Sequence, residues 1–304
     1  MKAVMCTKYG PPEVLQVKEV AKPSPKENEV CVRVHATAVT ASDCIIRGFN
    51  VPFAFRLPMA LVIGFSRPRK PILGMVFSGE VDSVGKAVKS FQKGEKVFGF
   101  DRFGFGTYAE YKCLSAAGFI AGMPANLKYE EGAAIPYGGL IALACLRKRR
   151  IQKGHKVLIY GASGSIGTSA VQLAKNLGAI VTGVCSAANA ELVKALGADK
   201  VMDYIKNDAL DRSDSYDFLF DAVGKKKSSK LKSAIAQSQK GKYVSVDDGS
   251  PKISAEDLIL LKGLVEAGKM RPVIDKLYPL DQIAEAHRYV ENGHKKGNVI
   301  IAVG

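Results

Sequence analysis

The chain has 304 residues, 47% of them hydrophobic and 24% charged, a balance that fits a globular protein of two ordinary domains and excludes a disordered one. The opening MKAVMCTKYG turns polar too early for a secretory signal, and the longest apolar runs are too short to cross a bilayer. We therefore predict a soluble, cytoplasmic protein. The net charge of +15 leaves nucleic acid, an anionic surface or an anionic cofactor open as partners.

The six cysteines and the basic runs add little that is specific. No two cysteines form a CxxC pair, so we interpret them as separate buried thiols, not as a disulfide framework or a zinc knuckle. Basic runs occur at 147–150, 225–227 and 294–296, without the interleaved aromatic residues of a single-strand-binding surface. We interpret them as a solvated face, with nucleic-acid binding as the alternative.

Short strands dominate residues 1–125. The stretch EVCVRVHATAV alternates, and glycine and proline divide the runs that follow it, which predicts a compact β-rich domain. Residues 47–71 interrupt the pattern with an apolar, arginine-rich segment broken by prolines. This segment is predicted to be either a mobile substrate lid or a packed surface loop.

From residue 126 onward, strand-like and helix-like runs alternate. KVLIY, IVTGVC, KVMDY, YDFLFDAV and GKYVSV are predicted strands, with helical stretches between them. Strands that alternate with helices indicate an α/β fold with a doubly wound parallel sheet. Residues 270–304 add a short helix and a final strand.

The glycine-rich stretch ASGSIG follows the first of these strands and begins a helix of small residues. It fits AxGxxG, close to the dinucleotide-binding pattern, and it lies in the strand–turn–helix context that the pattern requires. Gly164 lets the backbone approach a pyrophosphate, and Gly167 lets the helix pack closely on the strand. Ala162 replaces the first glycine, which the turn tolerates if φ stays negative. The predicted pyrophosphate site consists of Ser163, Gly164, Ser165, Ile166 and Gly167; the alternative is a structural turn without a ligand.

The end of the second strand indicates which dinucleotide binds. A site for NAD(H) places an acid there to bind the ribose hydroxyls, but the sequence VCSAAN has none before Glu191 in the next helix. Ser186 and Asn189 are neutral hydrogen-bonding residues that would not repel a 2′-phosphate. We therefore predict NADP(H). Tyr204, at the end of the third strand, is expected either at the adenosine-phosphate end of the cofactor or in the core.

The order of these parts resembles the medium-chain dehydrogenase/reductase superfamily, and more narrowly its quinone oxidoreductase, or zeta-crystallin-like, branch. The matching stretches are the opening residues to HATAV, then GTYAEYKC, ASGSIGTSAVQLAK, SAANAELVKALGADKVMDY and FDAVG. The resemblance implies a GroES-like catalytic domain over residues 1–125, completed by 270–304. It implies a Rossmann NADP(H)-binding domain over residues 126–269.

The chain departs from the zinc alcohol dehydrogenases of this superfamily at their metal site. Thr40 stands where they carry a catalytic cysteine, and Gly74-Met75-Val76 stands where they carry Gly-His-Glu. Zinc needs three or four nitrogen, sulfur or oxygen ligands, which methionine and valine at these places do not provide. We therefore predict no metal.

The resemblance implies NADPH-dependent reduction of quinones or of the C=C bond of α,β-unsaturated carbonyls. Thr40 is a candidate donor to the carbonyl oxygen, and Tyr137 is expected near the nicotinamide. Asp43 is a second candidate, with a structural role in capping the following turn as its alternative. Two alternatives for the whole protein are an NADPH-binding sensor and a basic nucleic-acid-binding protein, both without turnover.

Further cofactor contacts are expected where strands of the parallel sheet end, because doubly wound sheets bind ligands there. Ala222 and Val223 are predicted under the ribose, and Val246 and Asp247 beside the nicotinamide. Relatives have a longer segment between GKYVSV and the helix containing GLVEAGKM, which normally supplies an edge strand for pairing two subunits. The shortened segment predicts a monomer or a non-standard homodimer.

Overall fold

A computed structural model describes residues 1–51, 53–148, 150–205, 216–224, 242–248 and 252–304. The basic run at 225–227, Arg149 and the middle of the shortened segment (249–251) lie outside the described residues. The chain divides into two compact units, Met1–Pro136 with Ile274–Gly304, and Tyr137–Val273. The predicted domain boundaries, 1–125 completed by 270–304 for the catalytic domain and 126–269 for the Rossmann domain, stay a prediction.

The described part of the chain is rich in strands up to Gly122 and alternates between helices and strands from Tyr129 onward. The strands are β1 (Lys2–Cys6), β2 (Leu15–Glu19), β3 (Glu29–Val39), β4 (Val76–Val84), β5 (Lys96–Phe100), β6 (Tyr111–Ser115), β7 (Ile120–Gly122), β8 (Lys156–Tyr160), β9 (Ile180–Cys185), β10 (Lys200–Asp203), β11 (Phe218–Asp221), β12 (Lys242–Ser245), β13 (Ile274–Pro279) and β14 (Asn298–Ala302). The helices are α1 (Ala41–Gly48), α2 (Phe53–Ile63), α3 (Tyr129–Ala133), α4 (Pro136–Lys148), α5 (Ser165–Asn176), α6 (Ala190–Ala195), α7 (Ala255–Glu266) and α8 (Ile283–Glu291). Among the described residues, no helix is both long enough and apolar enough to span a bilayer.

The first unit is built on a mostly antiparallel sheet of order β13-β14-β3-β4-β5-β7, in which β6 also pairs with β3. Strand β3 alternates as its sequence indicates, with Val30, Val32 and Val34 buried, but Cys31 and Thr37 on the other face are buried too. Strand β14 pairs antiparallel with β3, so the C-terminal segment completes this sheet. A hydrophobic core in this unit joins residues from both ends of the chain.

Within the segment 47–71, residues 53–63 form helix α2, which corrects the expectation of a loop there. The alternative role as a substrate lid stays a prediction. Pro58 lies inside this helix and removes one N–H donor, which is why the sequence pattern suggested a break. The helix nevertheless continues, since Leu57, Met59 and Leu61 are good helix formers.

The second unit has the parallel sheet that the sequence predicted, in the order β10-β9-β8-β11-β12. Helix α5 buries Ile166, Ala170, Val171 and Ala174. Leu177 lies just beyond the last helical residue and is 45% exposed. In the described residues this sheet ends at β12, and α7 follows.

Candidate nucleotide-binding and catalytic residues

The strands of the parallel sheet end along one edge, and this edge gathers the predicted cofactor residues. Tyr160 is in register with Val184 on one side and with Asp221 on the other. Asp221 is in turn in register with Ser245, the last residue of β12. The loops that follow these strands therefore start at the same level, where a doubly wound sheet binds its ligand.

The glycine turn between β8 and α5 has the geometry that a dinucleotide requires. The positive φ of +78° falls on Gly161, so Ala162 needs no left-handed backbone. A Cβ on Gly167 would lie 2.0 Å from the Gly161 carbonyl oxygen, which makes this glycine necessary for the close approach of helix and turn. A Cβ on Gly164 would meet only that carbonyl oxygen, at 3.6 Å, so space remains open beside it. Helix α5 begins at Gly164 without a side-chain cap.

Asn189 and Ser163 connect the glycine turn to the end of β9. Asn189 donates from Nδ2 to Ser163 Oγ at 3.1 Å, and its backbone N–H donates to the Ser186 carbonyl at 2.9 Å. Asn189 is buried, and its Oδ1 has no hydrogen-bond partner among the described residues. A buried amide oxygen without a partner is costly, so this atom is ready to accept from a ligand hydroxyl.

The sequence predicted no acidic residue at the end of β9, and the structure agrees with this only in part. Glu191 is almost fully exposed and pairs with Lys194 at 3.3 Å within α6, so it does not serve the strand end. An acid that was not predicted from the sequence does reach the edge: Asp203, the last residue of β10, is in register with Cys185. Asp203 accepts from the Ile205 N–H at 2.9 Å. The neighbouring Tyr204 is 41% exposed, and its two expected places, at the adenosine-phosphate end or as a half-buried core residue, stay predictions.

The loop after β11 is held by Asp221, which was also not predicted. Its Oδ1 accepts from the N–H groups of Val223 and Gly224, both at 3.0 Å, and its Oδ2 accepts from the Tyr243 hydroxyl at 3.1 Å. Burial above all, with the nearby Asp221 carboxylate, raises the pKa of Tyr243 to about 12. The DAVG stretch is therefore a turn fixed by its own aspartate, a pattern visible in the sequence.

The loops after β11 and β12 lie against each other. A Cβ on Gly224 would meet the Asp247 carboxylate at about 2.6 Å. Asp247 donates its backbone N–H to Ser245 Oγ at 3.2 Å, and the Val246 N–H donates to the Asp221 carbonyl at 3.1 Å. Two further predicted contacts, Ala222 and the 48% exposed Val223, follow directly on β11. Together with the open space beside Gly164 and the unpartnered Asn189 oxygen, this edge fits a dinucleotide.

Thr40 and Asp43 form the start of helix α1 in the first unit. Thr40 is the N-cap: its Oγ1 accepts from the Asp43 N–H at 3.2 Å and donates to Asp43 Oδ2 at 2.6 Å. The same Oδ2 accepts from the Thr40 N–H at 2.9 Å, which completes a reciprocal capping box. Both side chains are buried. Their catalytic roles stay predictions, and the observed geometry is that of the structural alternative weighed for Asp43.

A buried tyrosine accompanies this capping box. The Asp43 Oδ1 and the Tyr108 hydroxyl are both buried and make no close hydrogen bond among the described residues. Burial raises the pKa of Asp43 to about 6, against the lowering effect of the Thr40 hydrogen bonds. Burial also raises the pKa of Tyr108 well above its usual range, so its hydroxyl stays protonated at neutral pH.

Arg47 lies in the same helix and is 1% exposed, so its guanidinium belongs to the interior of this unit. Its guanidinium donates to the Gly10 carbonyl, to the Glu291 carboxylate and to His287 Nδ1, the last at 3.3 Å. Burial, and to a smaller extent the Arg47 charge, lowers the pKa of His287 to about 3, so the ring is neutral. Cys44 Sγ also lies 3.5 Å from His287 Nδ1.

Tyr137 is the second residue of helix α4 and is 8% exposed. It begins the second unit, whereas Thr40 and Asp43 belong to the first. Its predicted place near the nicotinamide stays a prediction.

The residues at the zinc alcohol dehydrogenase positions do not fit a metal. The Thr40 hydroxyl is engaged by Asp43, and Met75 and Val76 are packed in the core with 2% and 0% exposure. Among the described residues, no group of three or more histidine, cysteine or acidic side chains has a metal-binding arrangement. The side chains at these positions therefore do not support chemistry through zinc.

A β-rich unit completed by the C-terminus and a parallel sheet with a glycine turn define a two-domain dehydrogenase. Residues 26–125 match the family described as alcohol dehydrogenase GroES-like domain. Two further families, both described as zinc-binding dehydrogenase, match later parts of the chain. One matches residues 165–271 and the other matches residues 251–301.

The relatives narrow this class. The chain is 31% identical to the chloroplast envelope quinone oxidoreductase homolog of Arabidopsis thaliana, over 99% of this chain and 98% of that one. It is 29% identical to the chloroplastic NADPH-dependent alkenal/one oxidoreductase of the same plant, over 99% of this chain and 79% of that one. The solved quinone oxidoreductase of Coxiella burnetii superposes with a TM-score of 0.84 at 28% identity, covering 100% and 99% of the two chains. The chain therefore belongs to the medium-chain dehydrogenase/reductase superfamily, in its quinone oxidoreductase branch.

Proposed function

We propose that this protein is a zinc-independent, NADPH-dependent oxidoreductase that reduces quinones or the C=C bond of α,β-unsaturated carbonyls. The single observation that carries the proposal is the strand-end edge of the second unit. There an uncapped helix N-terminus, the open space beside Gly164 and the Asn189 oxygen surround the place of a pyrophosphate and its ribose.

The names of the relatives support the proposed cofactor and the proposed class of acceptor. Their names include quinone oxidoreductase and NADPH-dependent alkenal/one oxidoreductase. NADP(H) also agrees with the neutral side chains of Ser186 and Asn189 at the end of β9. When bound, the nicotinamide supplies a hydride, which a conjugated acceptor takes up readily because it delocalises the charge.

Zinc independence is supported by the donor set. Reversible oxidation of a simple alcohol benefits from a Lewis acid that stabilises the alkoxide, and the residues at 40, 75 and 76 do not supply ligands for one. Reduction of a quinone or enone needs orientation of the acceptor beside the nicotinamide and hydrogen-bond donors near its oxygen. The oligomeric state, monomer or non-standard homodimer, and the cytoplasmic location also remain proposals.

The test is NADPH oxidation at about 340 nm, the absorbance of reduced nicotinamide, against a panel of acceptors. The panel contains a para-quinone, an ortho-quinone, a short enone, an alkenal and a ketone, each with NADPH and NADH and each with and without a chelator. Turnover of a quinone or enone that prefers NADPH and resists the chelator is the expected result. Loss of activity on chelation contradicts zinc independence.

If no acceptor of the panel is reduced although NADPH binds tightly, the result would favour the alternative of an NADPH-binding sensor. The nucleic-acid alternative predicts a binding constant for RNA or DNA that falls steeply with salt. A fluorescence titration of NADPH and a filter-binding series at several salt concentrations distinguish these two outcomes.

A further inference from the structure

Helix α2 exposes an unusual amount of apolar surface. Phe53, Leu57 and Leu61 repeat at intervals of four residues and so share one face, and they are 87%, 65% and 55% exposed. Phe55 and Val62, which are 63% and 56% exposed, lie roughly 100–120° further round the helix than Leu61, with the exposed Pro58 between them. A contiguous apolar surface of this kind on a folded protein marks an interaction site.

The helix is firmly attached to the first unit, although little of it is buried. Ala60 and Ile63 are each 5% exposed and anchor its C-terminal half. The Tyr9 hydroxyl lies 3.1 Å from the Ile63 carbonyl oxygen and 2.9 Å from that of Gly64. The exposed apolar face therefore belongs to a helix that is packed against the rest of the first unit.

The surroundings of α2 are positively charged. No aspartate or glutamate occurs between residues 44 and 79. Arg56, Arg67 and Arg69 are exposed, and within the described ranges no carboxylate forms an ion pair with any of them. Lys70 donates to the Phe103 carbonyl at 3.1 Å, which places a further exposed aromatic residue beside this basic group.

A pocket of about 530 Å³ adjoins the end of the helix. Met5 and Thr7 form one part of its wall, and the chain from Gly64 to Arg69 forms another. Two arginines, Ser66 and Thr7 therefore line a space at the end of the helix that carries the apolar face. Cations that border a pocket beside exposed Phe and Leu side chains match an anionic headgroup with its acyl chains.

We propose that helix α2 and the 64–70 segment dock this protein onto an anionic lipid surface. Phe53, Leu57 and Leu61 enter the interface between headgroups and acyl chains, while Arg67 and Arg69 bind the phosphates. A second copy of the chain is a poorer occupant, because two surfaces with the same cluster of unpaired cations repel each other. This inference does not rest on the proposed reaction.

The test is co-sedimentation of the full chain with vesicles of phosphatidylcholine alone or with about 30% phosphatidylserine added, a content that makes the surface anionic. We expect binding to the anionic vesicles that weakens as salt rises, and little binding to the neutral ones. The variant R67E/R69E lowers the partition coefficient at least about tenfold. The variant L57S/L61S lowers it by a similar factor, since two exposed apolar side chains of the docking face no longer leave water on docking.

Two matched controls keep these variants interpretable. K86E/K89E makes the same change in net charge at exposed lysines elsewhere in the first unit. I259S/L260S removes two exposed apolar side chains from α7, which are 61% and 46% exposed. Both controls are expected to bind anionic vesicles like the wild type.

Three results would overturn the proposal. One is equal binding to neutral and anionic vesicles, or none to either. Another is a loss in the control variants as large as in R67E/R69E and L57S/L61S. The third is a dimer in sedimentation velocity that L57S/L61S dissociates while vesicle binding is absent, which would assign the face to a second copy.

Discussion

Polar residues serve opposite purposes in two regions of this molecule. Around α1 in the first unit, Thr40, Asp43 and Arg47 are buried and bond to one another or to nearby backbone and side chains. Along the strand ends of the second unit, the polar groups border open space, and the Asn189 oxygen still lacks a partner among the described residues. The family resemblance marks both regions as sites, whereas the hydrogen bonds separate a packed support from a binding surface.

The largest expected effect is on stability, and it comes from removing the buried Arg47 side chain. Replacing Arg47 with methionine leaves the Glu291 carboxylate, the Gly10 carbonyl and His287 Nδ1 without their donor. Because it removes one partner of a buried ion pair, R47M should lower the free energy of unfolding by about 3–5 kcal/mol. Urea denaturation measures this change.

The matched control is R288M, which removes an arginine paired with Glu13 on the surface of the same unit. Its effect should be much smaller, because exposed ion pairs contribute little. If R47M and R288M lower the free energy of unfolding equally, the ion pair of Arg47 contributes no more than an exposed one.

The next prediction concerns how the free energy of unfolding depends on pH through the buried Asp43 carboxyl. The pKa of Asp43 is raised to about 6 from an unfolded value near 4, so folding favours its protonated form. The stability that this contributes is present below pH 4 and is lost as the pH rises through 6. D43N cannot ionise, so the unfolding free energy of the wild type should fall relative to D43N by about 3 kcal/mol between pH 4 and 7.

Urea denaturation of both proteins across this pH range provides the measurement. His287 titrates in both and cancels in the difference. A difference that stays constant with pH would contradict the burial of an ionisable Asp43.

Two glycines of the same turn separate packing from binding in the second unit. G167A forces a methyl group against the Gly161 carbonyl and should lower the unfolding free energy by about 1–3 kcal/mol. G164A meets no protein atom closer than 3.6 Å and should cost less than about 1 kcal/mol. Its methyl group instead occupies the pyrophosphate side, so the Kd for NADPH should rise at least about tenfold.

NADPH fluorescence titration alongside urea denaturation tests both variants, and the absence of tryptophan from the chain leaves the cofactor emission clear. Unchanged NADPH affinity in G164A would place the pyrophosphate elsewhere.

The smallest expected effect refines the cofactor preference. An acid at the end of β9 repels a 2′-phosphate, so S186D should reduce the ratio of NADPH to NADH affinity roughly fivefold to tenfold. S186N, which changes size without charge, is the matched control. If S186D leaves the ratio unchanged, the 2′-phosphate does not approach this strand end, and Asp203 becomes the residue to vary.

Local patterns predicted much of the fold. The bounds of β8 and β9 coincide with the predicted KVLIY and IVTGVC, because short apolar runs between turn residues specify strands from local information. Helix α2 was missed, since the single Pro58 outweighed the helix formers around it in the sequence pattern. The family resemblance and the fold class are confirmed.

The sequence by itself determined the two-part architecture, the glycine turn and the neutral end of β9, since these depend on residues close together in the chain. Only the tertiary structure decided that Arg47 is buried, because its partners Gly10, His287 and Glu291 come from both ends of the chain. It also decided that Asp221 holds the loop after β11 together with Tyr243, and that α2 presents its apolar side chains outward. Burial and hydrogen bonding between distant segments are set by packing, which periodicity and spacing do not encode.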